Sequence, residues 1–292
     1  MNFMDNFKKM RKINLIAAVF LGMIVCFAGS AISEEPGKLY VVGMGPAGPD
    51  LTAPRALDVV KKADVLLCSP GMPNKFEMFG AWIDPAKVAF NPWENIIGDN
   101  ARKLKQTEPA AWRTAREKQK QKVQDFVRRK IADGKTVVMM DGGDPCIYGP
   151  SLHYLLEGFD DTQFEVIAGM GAFNAAGAAL KRSFTPEDVR FVLMTSPQSL
   201  FGENWEKNDD ILKDLSKYET TMVWYMSLRS IAKVVAKLRK YYPSDMPIAI
   251  VYYAGYPDKE KVLKSCLENI LQDVEKMDEK WLGLFILGRC VK

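Results

Sequence analysis

Histidine is almost absent from this sequence, because His153 is the only one among 292 residues. A single imidazole rules out a histidine-rich metal site, and a Ser-His or Cys-His pair could form only if His153 served in it. The five cysteines contain no C-x-x-C pair, which also rules out a zinc ribbon. We therefore expect no metal site, we expect His153 to pack within a helix, and we assign no catalytic residue.

The chain also lacks a strong excess of charge of either sign. Its net charge is +4, and residues 1–33 hold Lys8, Lys9, Arg11 and Lys12 against Asp5. The body of the protein is therefore close to neutral and offers no broad basic field for a nucleic-acid partner. With 48% hydrophobic and 26% charged residues, the chain can bury a full core.

The N-terminus has the layout of an export signal. The basic run KKMRK (8–12) precedes an uncharged segment over 15–32, which ends in small residues before a Glu-Glu-Pro sequence. The same segment is long enough to remain in a bilayer as an anchor. We expect residues 1–33 to engage the membrane or the export machinery. The protein would then be periplasmic or anchored in the inner membrane.

The body predicts an α/β protein with two successive halves, each built on its own sheet. We place the first domain at 36–169 and the second at 170–292. Thr52 is a plausible N-cap for the first helix, and residues 69–100 are expected to form ordered loops. The predicted strands are 38–42, 64–67, 136–140, 164–167, 190–194, 221–226, 247–253, 261–267 and 283–287; the helices are 52–62, 109–132, 152–156, 174–180 and 230–238.

Two glycine-rich loops follow predicted strands, and ligands collect at such places in α/β sheets. In the first, Gly43, Gly45 and Gly48 match G-x-G-x-x-G, but prolines delay the helix and strand two ends without an acidic residue. We therefore reject a dinucleotide site. In the second, Gly142 and Gly143 leave the backbone free to turn and to approach a ligand closely.

Several segments, taken in order, resemble the tetrapyrrole methylase family, which includes uroporphyrinogen-III and precorrin C-methyltransferases. The segment CSPGMP (68–73) is most similar to the precorrin-4 type. The resemblance implies two α/β domains with S-adenosylmethionine in the interdomain cleft, a tetrapyrrole acceptor and a homodimer. The matching segments are VVGMGPAGPDLT (41–52), ADVLLC (63–68), GKTVVMMDGGDPCIYG (134–149), FEVIAGMGAFNAAGAAL (164–180), TTMVWYMSL (220–228), PIAIVYYAGYPDKEKVLKSCLENI (247–270) and LGLFILGRCV (282–291).

The cofactor residues follow from the resemblance, position by position. Those expected to bind the cofactor are Pro46, Gly142, Gly143, Asp144, Ile147, Gly171, Ala172, Met226 and Ala254. The substrate is expected to contact Gly45 and Ser69, which lie on the loops that follow the first two predicted strands. Tyr148 could stack on the ligand, and Arg113 and Arg116 could pair with it, because a tetrapyrrole carries several carboxylates.

Two other functions remain open, because the family normally works in the cytoplasm, whereas residues 1–33 predict export. Ser69 also stands where the uroporphyrinogen enzyme has an acidic residue, which leaves the methyl acceptor open. One is an exported, non-catalytic protein that binds a tetrapyrrole or heme on the same fold. The other is a methyltransferase for peptide backbone amides, since some relatives of the fold carry a similar basic helical insert.

Overall fold

The computed structural model describes residues 37–69, 78–202, 205, 210–280 and 282–292. The first of its two sheets has five parallel strands in the order β3-β2-β4-β1-β5. Its strands are β1 (Leu39–Gly43), β2 (Val65–Leu67), β3 (Val88–Phe90), β4 (Val137–Asp141) and β5 (Phe164–Ile167). Because the sheet is wholly parallel, the carboxyl ends of β1, β2, β4 and β5 share one edge.

The second sheet is mixed, with the order β6-β7-β10-β8-β9. Strand β6 runs parallel to β7, and the other neighbours are antiparallel. Since β7 and β8 both oppose β10, they point the same way and end at the same edge. The strands are β6 (Phe191–Thr195), β7 (Thr220–Trp224), β8 (Pro247–Tyr252), β9 (Lys261–Cys266) and β10 (Gly283–Leu287).

Helices cover both faces of each sheet, as the apolar strands β4 and β10 require. Eight α-helices lie in the described part of the chain. They are α1 (Pro54–Lys62), α2 (Asp99–Thr107), α3 (Pro109–Ala132), α4 (Ala172–Leu180), α5 (Pro197–Phe201), α6 (Asp210–Leu215), α7 (Ile231–Leu238) and α8 (Ile270–Glu275).

Each sheet has two apolar cores, one on either face. On the first sheet, Val60 of α1 packs with Val42 and Val138, whereas Val123 and Val127 of α3 pack against the opposite face. On the second sheet, the small residues of α4 pack against one face, and α5–α8 cover the other. The two-sheet α/β prediction is thus confirmed, while the boundary at 169/170 stays a prediction.

The structure corrects several local predictions. Thr52 does not cap α1; its hydroxyl donates to the carbonyl oxygens of Met44 (2.8 Å) and Gly48 (3.1 Å), and Ala53 takes the cap position. Segment 69–100 contains β3 and the start of α2, as well as loops. Strands β7 and β8 end before Tyr225 and Tyr253, which therefore belong to loops.

Some predictions fall on residues outside the description. They include the segment 1–33 and residues 70–73 of CSPGMP. Within the described part, no helix is long and apolar enough to span a bilayer, and no cluster of His, Cys, Asp and Glu could hold a metal ion. Cys266 and Cys290 are free thiols.

Candidate functional site

Three glycine loops meet at the carboxyl edge of the first sheet. We name them loop A (44–48), loop B (142–150) and loop C (168–171). The N–H of Gly143 donates to the carbonyl of Gly45 (2.7 Å), and the N–H of Gly45 donates back (3.2 Å). A Cβ on Gly169 would lie 2.1 Å from the Gly143 oxygen and 2.8 Å from the Gly43 Cα. Only glycine allows so close an approach of three backbones.

Two loops of the second lobe close the other side. We name them loop D (225–227), after β7, and loop E (253–256), after β8. Gly255 of loop E packs on loop A and its neighbour: a Cβ there would lie 2.5 Å from Leu51 Cδ1 and 3.5 Å from Pro46 Cγ. The rings of Tyr148 and Tyr225 join loops B and D, with centroids 4.9 Å apart. The five loops therefore border one interlobe cleft.

The cleft loops expose apolar surface and unusual backbone. Met226 is 64% exposed, Met170 39% and Tyr148 38%. Tyr148, Met226 and Tyr253 adopt positive φ angles of 59°, 54° and 48°. A non-glycine residue in the left-handed region costs about 1–2 kcal/mol of stability, and such residues cluster at ligand sites. This arrangement suits a cleft that a ligand covers.

Gly143 leaves space on the exposed side of loop B. Its φ is +76°, and a Cβ built on it would meet no atom within 4 Å. The backbone of loop B can therefore be approached from that side. Loop B itself is held by Asp144, whose Oδ1 accepts from the Cys146 N–H (2.9 Å) and whose carbonyl accepts from the Ile147 N–H (3.1 Å).

The Tyr225 ring lies at the junction of the two lobes. Burial raises the pKa of its phenol to about 12. The backbone of Phe173 lowers this pKa, whereas the neighbouring Tyr148 and Asp144 raise it further. Tyr225 therefore stays neutral at physiological pH. It forms an uncharged wall of the cleft close to both Asp144 and the start of α4.

The nine residues assigned to the cofactor all lie on these loops or in the first turn of α4. Their role in binding stays a prediction. Their positions are Pro46 on loop A; Gly142, Gly143, Asp144 and Ile147 on loop B; Gly171 on loop C; Ala172 at the start of α4; Met226 on loop D; and Ala254 on loop E.

The residues assigned to the substrate divide into two groups. Gly45 and Tyr148 lie on loops A and B, and Ser69 follows β2 at the same sheet edge. Arg113 and Arg116 lie on α3 instead. The Arg116 guanidinium stacks 3.7 Å from the Tyr154 ring centroid, and among the described residues no hydrogen bond, ion pair or ring contact joins either arginine to the glycine loops.

Asp141 also lies beside these loops, although its role was not predicted from the sequence. It is the last residue of β4 and only 3% exposed, and its Oδ1 accepts from the Ser151 hydroxyl (2.7 Å). Burial raises the pKa of this carboxyl to about 7, although the hydrogen bond from Ser151 works in the opposite direction. The available signal was an acidic residue that directly continues the apolar run of β4.

Comparison with known proteins agrees with this geometry. Residues 38–271 match the model of the family Tetrapyrrole (Corrin/Porphyrin) Methylases. The chain belongs to this family. Its relatives include a cobalt-precorrin-4 C(11)-methyltransferase of Methanocaldococcus jannaschii, 28% identical, with 86% of this chain and 87% of that protein covered. A precorrin-4 C(11)-methyltransferase of Pseudomonas aeruginosa is 22% identical over 86% and 89% of the two chains.

Solved structures of other methyltransferases share the fold of this family member. A cobalt precorrin-4 methyltransferase superposes with a TM-score of 0.67 at 22% identity, covering 90% of this chain and all of the other. Uroporphyrin-III C-methyltransferase from Thermus thermophilus, solved with S-adenosylhomocysteine, has a TM-score of 0.61 at 19% identity, covering 87% of this chain and 99% of the other. At these identities the likeness establishes the fold alone.

Proposed function

We propose that this protein is an S-adenosylmethionine-dependent methyltransferase that acts on a tetrapyrrole of the precorrin-4 type. The observation that carries the proposal is the convergence of loops A–E on one cleft, with the backbone of Gly143 open to approach. Membership of the tetrapyrrole methylases supplies the reaction class. The names of the M. jannaschii and P. aeruginosa relatives favour the precorrin-4 acceptor.

The residues of the cleft fit this cofactor. A nucleoside needs a flat backbone surface and a few polar groups, and loop B offers Gly142 and Gly143 beside the half-buried Asp144 carboxylate. The methionine part needs a soft apolar wall, which the exposed Met226 supplies. We assign Ala254 to the adenine or ribose side, because it has no side chain beyond Cβ to obstruct the approach.

The work of the protein is orientation and the exclusion of water. When bound, the cofactor supplies a methyl group on a sulfonium, which a nucleophile displaces in line. Tyr148 and Tyr225 hold loops B and D together, and Gly255 packs loop E against Leu51. These contacts keep the two lobes at a fixed separation, so that cofactor and acceptor meet in one geometry. Gly45 and Ser69 lie at the same sheet edge, where we place the acceptor.

We further propose export of the chain and assembly as a homodimer. Export rests on the basic and then uncharged residues of 1–33, and the homodimer rests on the family resemblance. Cell fractionation and light scattering test the two points separately. A full-length cytoplasmic protein would contradict export, and a monomer at micromolar concentration would contradict the dimer.

Methyl transfer tests the main proposal. The full chain is incubated with S-adenosylmethionine and, in separate reactions, with cobalt-precorrin-4, precorrin-4, uroporphyrinogen III or a peptide library. We expect mass spectrometry to show one added methyl group on a precorrin-4-type acceptor. Gly143→Val should abolish transfer, because the side chain would occupy the open side of loop B. The exposed Asp161→Asn should act as the wild type does.

The other acceptors distinguish the competing functions. Transfer to uroporphyrinogen III alone would replace the proposed acceptor with another tetrapyrrole. Transfer to peptide amides alone would overturn the tetrapyrrole proposal. A coloured ligand that copurifies with the chain, without transfer to any acceptor, would establish a binding protein in place of an enzyme.

A further inference from the structure

Asp141 occupies the junction between the central strand of the first sheet and loop B. It is opposite Gly43 in the β1–β4 register, and its carbonyl accepts from the Met44 N–H (2.8 Å). The main chain at Asp141 is therefore fixed by β1 and by the start of loop A. Because its main chain is fixed, the interactions of its side chain can change only the conformation of the following loop B.

The Asp141 carboxyl contacts the far end of the same loop. Its Oδ1 accepts from Ser151, which is fully buried and begins the helical turn Ser151–Leu155. Its Oδ2 lies beside Gly149, where a Cβ would come within 2.8 Å of it and within 2.3 Å of the Pro145 carbonyl oxygen. One carboxyl thus joins residues that precede, lie within and follow loop B.

The Oδ2 atom is buried and has no hydrogen-bond donor among the described residues. An ionised oxygen in this position, with a carbonyl oxygen bordering the same space, is unfavourable because nothing compensates its lost hydration. A protonated oxygen carries no charge, so its burial costs much less. The surroundings of Oδ2 therefore favour the neutral acid over the carboxylate.

No lysine or arginine of the described chain forms an ion pair with Asp141. Loop B contributes Asp144, Cys146 and Tyr148, the following turn contributes His153, and the end of β2 contributes the buried thiol of Cys68. The negative charge of Asp141 would raise the pKa of the Cys146 thiol, together with burial and Asp144. The neighbourhood therefore offers a carboxylate little compensation.

We propose that Asp141 positions loop B as a neutral carboxylic acid, and that loss of its proton loosens the loop and weakens ligand binding in the cleft. The identity of the ligand rests on the proposed function, whereas the effect on the loop does not. Asp141 is a positioning residue, since it acts through Gly149 and Ser151. It gives the cleft a sensitivity to pH in the neutral range, where the ordinary aspartate is fully ionised.

Calorimetric titration of the full chain with S-adenosylhomocysteine between pH 6 and 8 tests the pH dependence. If only the protonated form binds, the dissociation constant should rise about tenfold across this range, because the competent fraction falls about tenfold around pH 7. Asp141→Asn keeps an acceptor and a donor but cannot ionise, so its affinity should stay constant. Asp161→Asn, an exposed aspartate of the same lobe, should follow the wild type. An unchanged slope in Asp141→Asn would overturn the proposal.

Hydrogen exchange on the unmodified chain provides a second measurement that needs neither a ligand nor a variant. The Gly143 and Ile147 amides of loop B donate hydrogen bonds to the carbonyl oxygens of Gly45 and Asp144. Their protection, corrected for the intrinsic exchange rate, should fall between pH 6 and 8. Constant protection would refute the positioning role. A failure of S-adenosylhomocysteine to bind at any pH would instead refute the proposed function and leave the exchange result to decide the role of Asp141.

Discussion

Two glycines of the cleft loops should respond very differently to the same substitution. Gly169→Ala would place a methyl group 2.1 Å from the Gly143 oxygen and 2.8 Å from the Gly43 Cα. Both obstacles are backbone atoms, which cannot rotate out of the way. Gly143→Ala would place its methyl group in open space, and its only cost to stability is the left-handed φ of +76°.

The expected losses in free energy of unfolding follow from these contacts. Overpacking costs about 1–3 kcal/mol even where side chains can adjust, so we expect Gly169→Ala to lose about 3 kcal/mol or more. A left-handed alanine costs about 1–2 kcal/mol. Denaturant unfolding of both variants, followed by circular dichroism, measures the two losses. S-adenosylhomocysteine affinity, measured below the unfolding transition, should fall at least about tenfold in Gly143→Ala, because the added methyl takes space beside loop B.

A Gly169→Ala variant more stable than Gly143→Ala would contradict the close backbone packing at Gly169. If Gly143→Ala destabilised the chain as much as Gly169→Ala, the open side of loop B would not be open. If Gly143→Ala folded and bound the ligand as well as the wild type, loop B would not be the surface that the ligand approaches.

Two further predictions concern stability and the lobe contact. The raised pKa of Asp141 contributes stability that is fully present below about pH 4 and is lost as the pH rises through 7. In urea unfolding, the wild type should therefore lose about 2–3 kcal/mol more free energy of unfolding than Asp141→Asn between pH 5 and 8. Equal losses would contradict the burial of a neutral acid. Gly255→Ala should lower the free energy of unfolding by about 1–2 kcal/mol, because it combines a φ of +85° with a contact to the Leu51 side chain, which can move. An unchanged thermal midpoint would show that loop E does not pack against Leu51.

Much of the fold could be predicted because several elements have strong local patterns. The limits of α3, β5 and β10 are those predicted from apolar spacing. Strand β3 has only three residues and no buried one, so no periodic signal marks it. Thr52 was wrongly predicted as a cap. Its hydroxyl instead donates to two carbonyl oxygens of loop A, and the local sequence does not show that loop A folds back toward Thr52.

The site was predictable where backbone shape defines it and less so where packing does. Gly142 and Gly143 stand out in the sequence, and the resemblance places them beside a ligand. Asp141 accepts a hydrogen bond from Ser151, which is ten residues further along the chain and gives no sign of this contact in the sequence. The stacking of Arg116 on Tyr154 depends on how α3 crosses the sheet, which helical periodicity does not specify. The role of Arg113 and Arg116 in substrate binding therefore stays a prediction.

The most direct test of the central claim is calorimetric titration of the full chain with S-adenosylmethionine. We expect one site per chain, with weaker binding in Asp144→Ala, because that carboxylate holds the Cys146 end of loop B and faces the cleft wall at Tyr225. Absence of binding to the folded wild type, or full affinity in a folded Asp144→Ala variant, would contradict the claim that loops from both lobes form one cofactor site.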